Sequence, residues 1–291
     1  MTAGFVPART APGPMQLRCG SKILPLAYPC VMGVLNVTPD SFSDGGRFLD
    51  AAAAVDNAMR MVGEGAAIID IGGESTRPGA ASVPVEEELR RVIPVIERLR
   101  TRSAVPISID TRRPAVMRAA LSAGADIVND VNALREPQAL HAVANTDAAV
   151  CLMHMQGDPQ SMQQAPDYHD VVTEVRDFLA ERVAACRAAG IAEDRIVIDP
   201  GIGFGKTREH NLRLISRLHD LVWIGRPILI GVSRKSTVGA ITDRPVEGRL
   251  AGIASYDFTV LGGSMGPTGE VKAARLRELC LRHRMPIIWL V

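Results

Sequence analysis

The chain has 291 residues, with 33 Lys+Arg against 32 Asp+Glu, a formal net charge of +1, 47% hydrophobic and 22% charged residues. That balance is of a globular protein with a sizeable core, hiding roughly 75% of its extended surface on folding. It excludes a phosphate-backbone binder, because no basic block is present, and a membrane span, because no apolar run reaches ~18 residues. Neither nucleic acid nor membrane is expected as a partner. The five cysteines (Cys19, Cys30, Cys151, Cys186 and Cys280) form no CxxC pair. This argues against structural zinc and a disulfide framework and favours reduced, cytoplasmic thiols.

Residues 1–14 carry three Pro and two Gly without periodicity and read as a loose tail. Arg9 and the lack of a long apolar core argue against a secretory signal. Residues 15–28 read as a hairpin turning at Gly20 and Ser21. A rhythm follows, in which a short apolar run ends in a polar or Gly-rich loop and leads into a helical segment. The runs are Val31–Leu35, Ala67–Ile71, Val105–Ile109, Ile127–Val128 with its neighbours, Ala148–Met153, Arg195–Ile198 and Pro227–Gly231. The helices predicted between them are Ala51–Gly65, Val85–Arg100, Pro114–Ala123, Val171–Ala189 and His210–His219. Short β-branched runs, apolar on both faces, are how parallel strands read under helical cover. Seven units, with Glu270–Arg282 offering a helix for an eighth, favour an α/β fold of the TIM (β/α)8 barrel type over a doubly wound sheet. The expected organisation is one barrel domain over residues 15–291, with the hairpin capping its bottom.

Polar residues follow every run, and in a barrel all these ends converge on one face. Each alone has a plainer use: an Asp caps a helix, a Gly pair makes a turn, and Lys206 is a solvated loop lysine. Together they form a small-molecule site. Asp110, Asn129 and Asp199 fall on nearby strands, where carboxylates and a carboxamide suit a flat heterocycle with N–H donors. Burial makes such matching strict. Metal ligation by the two aspartates is the rival use; no HxH or Cys/His cluster supports zinc, whereas Mg2+ held with a substrate phosphate needs little protein. Arg77 and Lys235 bring positive charge to the rim beside Gly-rich turns that can face anionic oxygens. Neither Gly205-Lys206 nor Arg234-Lys235 has Walker A spacing, so nucleotide-driven phosphoryl transfer is not indicated.

These residues carry a family match. The segments are Gly33–Gly46, Asp70–Gly79, Ile109-Asp110-Thr111, Asn129-Asp130, Met153–Gly157, Asp199–Lys206 and Ser233-Arg234-Lys235-Ser236. In this order, over residues 31–252, the chain resembles the dihydropteroate synthase family. The resemblance implies a TIM barrel, usually a homodimer. The implied reaction joins p-aminobenzoate to 7,8-dihydropterin-6-ylmethyl diphosphate with Mg2+ as cofactor. It implies that Asp110, Asn129, Asp199 and Lys235 hold the pterin, with Met153 and Phe204 packing near it. Asn36 would take the diphosphate and its Mg2+. The loop with Asp40, Ser41 and Phe42 would close over the site, and Thr76, Arg77 and Pro78 would lie on a second loop. Phe204, Lys235 and Ser236 would receive p-aminobenzoate, where sulfonamides compete. Asn36, Arg77, Asp110 and Lys235 are the implied catalytic set.

The likeness stops after Gly248–Gly252. The family's eighth strand ends in Arg-x-His-Asp, whose Arg and His bind the diphosphate; residues 253–291 contain no Arg-x-His. Gly262–Gly269 is a poor central strand, and the apolar Ile287–Val291 reads as a displaced strand or an aggregation-prone end. Each missing donor is worth about 2–3 kcal/mol by analogy with oxyanion donors. Reduced turnover with an intact pterin pocket follows as an expectation, and a structural or regulatory homologue stands as the alternative. A corrinoid methyltransferase domain shares the Asp/Asn/Asp logic, but lacks the first loop and the Ser-Arg-Lys-Ser segment.

Overall fold

The structure, a computed structural model, describes residues 16–27, 29–37, 47–75, 82–158, 161–231, 252–255 and 287–290. The chain opens with strands β1 (Gln16–Cys19) and β2 (Lys22–Pro25), paired antiparallel around Gly20 and Ser21. Gly20 has φ +61°, a left-handed conformation that a residue with a Cβ adopts only at a cost. Six parallel strands follow: β3 (Val31–Asn36), β4 (Ala66–Gly72), β5 (Ile107–Asp110), β6 (Ile127–Asp130), β7 (Ala149–Met153) and β8 (Ile196–Asp199). Helices α1 (Arg47–Gly63), α2 (Val85–Arg102), α3 (Pro114–Ser122), α4 (Ala139–Ala144) and α5 (Val171–Ala188) connect them, and α6 (Arg208–Ser216) follows β8.

The strands neighbour one another in chain order, β3-β4-β5-β6-β7-β8. Crossovers between parallel strands are right-handed, so stepping always in one direction puts every helix on the same face. A doubly wound sheet reverses direction instead. The packing agrees. One apolar cluster joins Leu35, Ile69, Ile71, Ile109, Val128, Val150 and Ile198 to helix residues such as Val95, Leu99, Met117 and Leu179. A second, on the opposite parity of the strands, joins Ile68, Ile127, Ala149, Cys151 and Val197 to Leu17 and Cys19 of the hairpin. The helices therefore clothe the outside, and the hairpin plugs the inside at the amino ends of the strands. Gly20 N donates to Asp147 O at 2.9 Å, Arg18 Nε to Asp194 at 3.0 Å, and Lys22 pairs with Asp126. This is the winding of a (β/α)8 barrel.

Two elements differ from the sequence expectation. The run Pro227–Gly231 makes a single bridge, Ile198 to Ile228, in place of a ladder. Pro227 has no N–H to offer and contributes only its carbonyl, to Ile198 N at 3.0 Å. The short helix α4 is not among the helices the sequence predicts, since six residues give no period to recognise. At the carboxyl end, β10 (Ile287–Leu290) pairs in parallel with β9 (Gly252–Ser255), so the displaced-strand reading holds for these residues. The tail 1–14 and the stretch 256–286 lie outside the described residues.

Candidate active site

Strand alternation places the site. On β4, Ile69 and Ile71 point to the helices, which turns Ile68, Asp70 and Gly72 inward. The register carries this parity across the sheet. Asn36 pairs with Gly72, Gly72 with Asp110, Asp110 with Asn129 and Asn129 with Cys151, while Met153 pairs with Asp199 one step along. Asp70 sits beside Ser108 one rung below. The interior is thus apolar near the hairpin and polar at the carboxyl ends.

The polar rung is crowded with acids. Asn129 Nδ2 donates to Asp70 Oδ2 at 3.1 Å. Burial pushes the Asp70 carboxyl above the usual range and the Asp199 charge adds to this, while the hydrogen bond from Asn129 opposes it. The Ser108 hydroxyl lies close enough to act on Asp70 in the same opposing sense, but makes no hydrogen bond of normal geometry. Asp110 is pushed well above its usual range, first by burial and then by Asp70, Asp130, Glu88 and Glu74. Asp70 Oδ1 and Asp110 Oδ1 are buried without a hydrogen-bond partner. Orphaned acceptors this deep are expensive unless a ligand meets them. The carboxylate of Asp70 only accepts, so it dictates which end of the Asn129 amide faces it, and Asn129 Oδ1 is turned the other way.

The aspartates divide by role. Asp130 points away from the rung: its oxygens accept from Asn132 N and Leu134 N at 2.8 Å each, the turn-capping use. Asp199 does both jobs, since Oδ1 accepts from Gly201 N at 2.7 Å while the strand end faces the interior. Asp70 was absent from the sequence-based site set. Its signal was the Ile-Asp-Ile alternation, which gives it the parity opposite to two helix-facing isoleucines.

Above this floor, Met153 packs with Val131, Met155 and Met162, and Phe204 lies against that cluster. Asn36 is exposed at the mouth, and a Cβ built on Gly72 would lie 3.7 Å from Asn36 Oδ1 and 3.6 Å from Asp110 Oδ2, filling the gap between them. Beside the second loop, Arg113 bridges Glu88 on α2, at 2.8 Å, to Glu74 and Ser82. The structure thus brings Asn36, Asp110, Asn129, Met153, Asp199 and Phe204 to one end of the sheet. Asp40, Ser41, Phe42, Thr76, Arg77, Pro78, Lys235 and Ser236 lie outside the described residues.

A single-wound parallel barrel sheet with buried acceptors at its carboxyl ends is the arrangement of a barrel enzyme's site, and these acceptors suit a ligand with N–H donors. The family model for pterin binding enzymes matches residues 32–263, and the chain belongs to that family. It has the family's (β/α)8 barrel fold. Its relatives narrow the kind of enzyme. The dihydropteroate synthase of Escherichia coli strain K12 is 51% identical over 238 residues, 82% of this chain and 84% of that one. The Xanthomonas albilineans dihydropteroate synthase structure with 4-aminobenzoic acid is similar at 47% identity and TM-score 0.75, covering 94% and 92% of the two chains. A Yersinia pestis dihydropteroate synthase in a sulfonamide complex is similar at 42% identity and TM-score 0.75, covering 95% and 93%.

Among the described residues no group of three or more His, Cys, Asp or Glu could hold a metal ion. Asn36 Oδ1, exposed at the mouth beside Gly72, is a neutral oxygen of the kind that can join substrate phosphates around a hard cation. No helix among the described residues is long and apolar enough to cross a membrane.

Proposed function

We propose that this chain is a dihydropteroate synthase, condensing p-aminobenzoate with 7,8-dihydropterin-6-ylmethyl diphosphate. The carrying observation is the group of inward-facing acceptors Asp70, Asp110, Asn129 and Asp199 at the carboxyl ends of the strands, in a chain so similar to enzymes of that name. Asp110, Asp199 and Asn129 Oδ1 accept the ring's N–H groups, and Lys235 covers a ring acceptor. Met153 and Phe204 pack on the ring's faces.

The reaction breaks the bond between the pterin methylene and the diphosphate oxygen and forms one to the aryl nitrogen. The electron-rich ring stabilises the carbon as the diphosphate departs, and the amine then loses a proton to solvent. Mg2+, when bound, supplies neutralising charge to the leaving group. Asn36 would hold it, and Arg77 and Lys235 add cationic donors at the rim. Phe204, Lys235 and Ser236, with Thr76, Arg77 and Pro78, hold the amine in line, and the loop with Asp40, Ser41 and Phe42 excludes water. No strong side-chain base is needed, because the amine is already a nucleophile. His154 is not one: burial and Lys206 hold its pKa down at about 2.

Sulfonamides compete with p-aminobenzoate on this reading. A cytoplasmic homodimer and a single barrel domain complete it. Pyrophosphate release by the purified chain, with both substrates and Mg2+, tests the assignment. Turnover inhibited by a sulfonamide is expected; no turnover together with tight pterin binding favours the structural or regulatory homologue. The missing Arg-x-His pair bears on the rate, so a kcat well below that of a relative carrying the pair is the expected cost.

A further inference from the structure

Lys206 is 3% exposed, unlike a solvated loop lysine. Its ammonium lies 2.9 Å from His154 Nδ1, 3.2 Å from His154 O and 2.9 Å from Phe204 O. An ammonium only donates, so His154 Nδ1 must accept, and the ring proton sits on Nε2. The imidazole is wedged edge-on against Phe178, with ring centroids 4.9 Å apart. It stays a neutral acceptor at working pH, because burial and the Lys206 charge both disfavour its protonation.

Two of these contacts, to His154 Nδ1 and O, cross between the loops, and Gln163 Nε2 to Gly203 O at 2.7 Å and Tyr168 OH to Gly205 O at 2.8 Å cross beside them. A Cβ on Gly201 would fall 1.9 Å from His154 O, and one on Gly205 would fall 2.5 Å from Gln156 O. The strand end is anchored separately, since His154 N donates to Asp199 O at 2.9 Å. Phe204 lies beyond the strand. Its carbonyl accepts from the Lys206 ammonium and its N–H closes a tight turn on Gly201 O at 3.0 Å, while the neighbouring Gly203 N donates to Asn211 Oδ1 at 2.8 Å.

We propose that Lys206 is a positioning residue of the reaction. Its ammonium fastens the loop after β7 to the loop after β8, and so fixes Phe204 at the aryl-amine end of the site. The proposal rests on the dihydropteroate synthase reading and deepens it. Because the fastening acts on Phe204 more than on Asp199, losing it weakens p-aminobenzoate more than the pterin, which also meets Phe204 but keeps Asp110, Asn129, Asp199 and Met153.

The test uses the full chain, with the wild-type rate measured first; absence of wild-type turnover would refute the assignment of function and leave the ring spectroscopy below to judge the fastening. In Lys206→Met, the KM for p-aminobenzoate is expected to rise about tenfold, as buried acceptors lose their donor. The calorimetric Kd for a pterin should stay within about threefold, because Asp110, Asn129 and Asp199 keep their own supports. A pair at His154 decides the matter even if Lys206→Met does not fold. His154→Asn keeps an oxygen near the Nδ1 position but loses packing on Phe178, whereas His154→Leu keeps apolar bulk but loses the acceptor. The proposal requires Asn to preserve the p-aminobenzoate KM better than Leu, the reverse of what a packing role predicts. Nitrogen NMR of the His154 ring should show a bare Nδ1 and a protonated Nε2, unchanged from pH 5 to 8. A low KM in the Leu variant, equal rises in KM and pterin Kd in Lys206→Met, or a ring titrating near pH 6.5 would each overturn it.

Discussion

Replacing Asp70 by leucine removes the acceptor that Asn129 Nδ2 now meets at 3.1 Å, without touching a residue assigned to substrate. Two outcomes are open to the Asn129 amide. Without the ring, the half-buried amide can turn its NH2 toward water; with the ring bound, the NH2 faces leucine unpaired, or the group turns over and offers N–H to a ring that itself presents N–H. Either leaves a buried polar group unmatched, about 1–3 kcal/mol, or roughly 5- to 150-fold in pterin affinity. Asp70→Asn retains an oxygen able to face Asn129, so it should cost only a few-fold. Stability should move the other way. Burial already disfavours the ionised Asp70 carboxyl, and its Oδ1 lacks a partner, so the unliganded Leu variant should lose nothing or gain about 1 kcal/mol. Calorimetry with a pterin and urea unfolding of the same preparations give both numbers. Pterin binding within twofold of wild type in Asp70→Leu, or a stability loss as large as the binding loss, would refute the reasoning.

Gly201→Ala would set a methyl 1.9 Å from His154 O in a residue held at φ +67°. The clash cannot be relieved without parting the two loops, so a loss of about 3–5 kcal/mol in unfolding free energy is expected by denaturant titration. His154 also gives a pH signature. Its pKa is about 2 in the fold against about 6.5 unfolded, so the unfolded chain binds the extra proton between those values and stability falls as pH drops below 6.5. The slope is at most about 1.4 kcal/mol per pH unit, and Asp130, raised to about 6, opposes it between roughly pH 4 and 6. The difference in melting temperature between wild type and His154→Asn, which isolates the histidine, should therefore shift against the wild type from pH 7 to 5.

The strands and longer helices were legible because their signals are local. β-branched runs such as Ile107–Asp110 and the spacing of Val92, Ile96 and Leu99 on α2 name their own partners, the neighbouring strand and the helix-facing side of the sheet. Asp110, Asn129 and Asp199 were legible as a set because a barrel sends all strand ends to one mouth. Asp70, Asp130 and Lys206 were harder. A strand-end Asp reads alike whether it caps its own turn, as Asp130 does, or faces inward, as Asp70 does; only the parity of the strand separates the two. Lys206 owes its burial to His154, 52 residues earlier, and no local pattern carries that information. The run Pro227–Gly231 meets β8 at Ile228, and the missing N–H of Pro227 is a local cause that closes off the rung before it.

The hairpin at the bottom of the barrel has a consequence for synthesis. Arg18 is among the first described residues made, yet its partner Asp194 follows 176 positions later. At about 5–20 residues per second, the hairpin waits roughly 10–35 s before the far side of its socket exists. Until then the socket of Leu17 and Cys19 is incomplete: Ile68, Ile127, Ala149 and Cys151 are already made, but Val197 of the same cluster is not. The first of the described elements to be made is therefore among the last to dock. An early hairpin with its apolar face open is what a nascent-chain chaperone would meet.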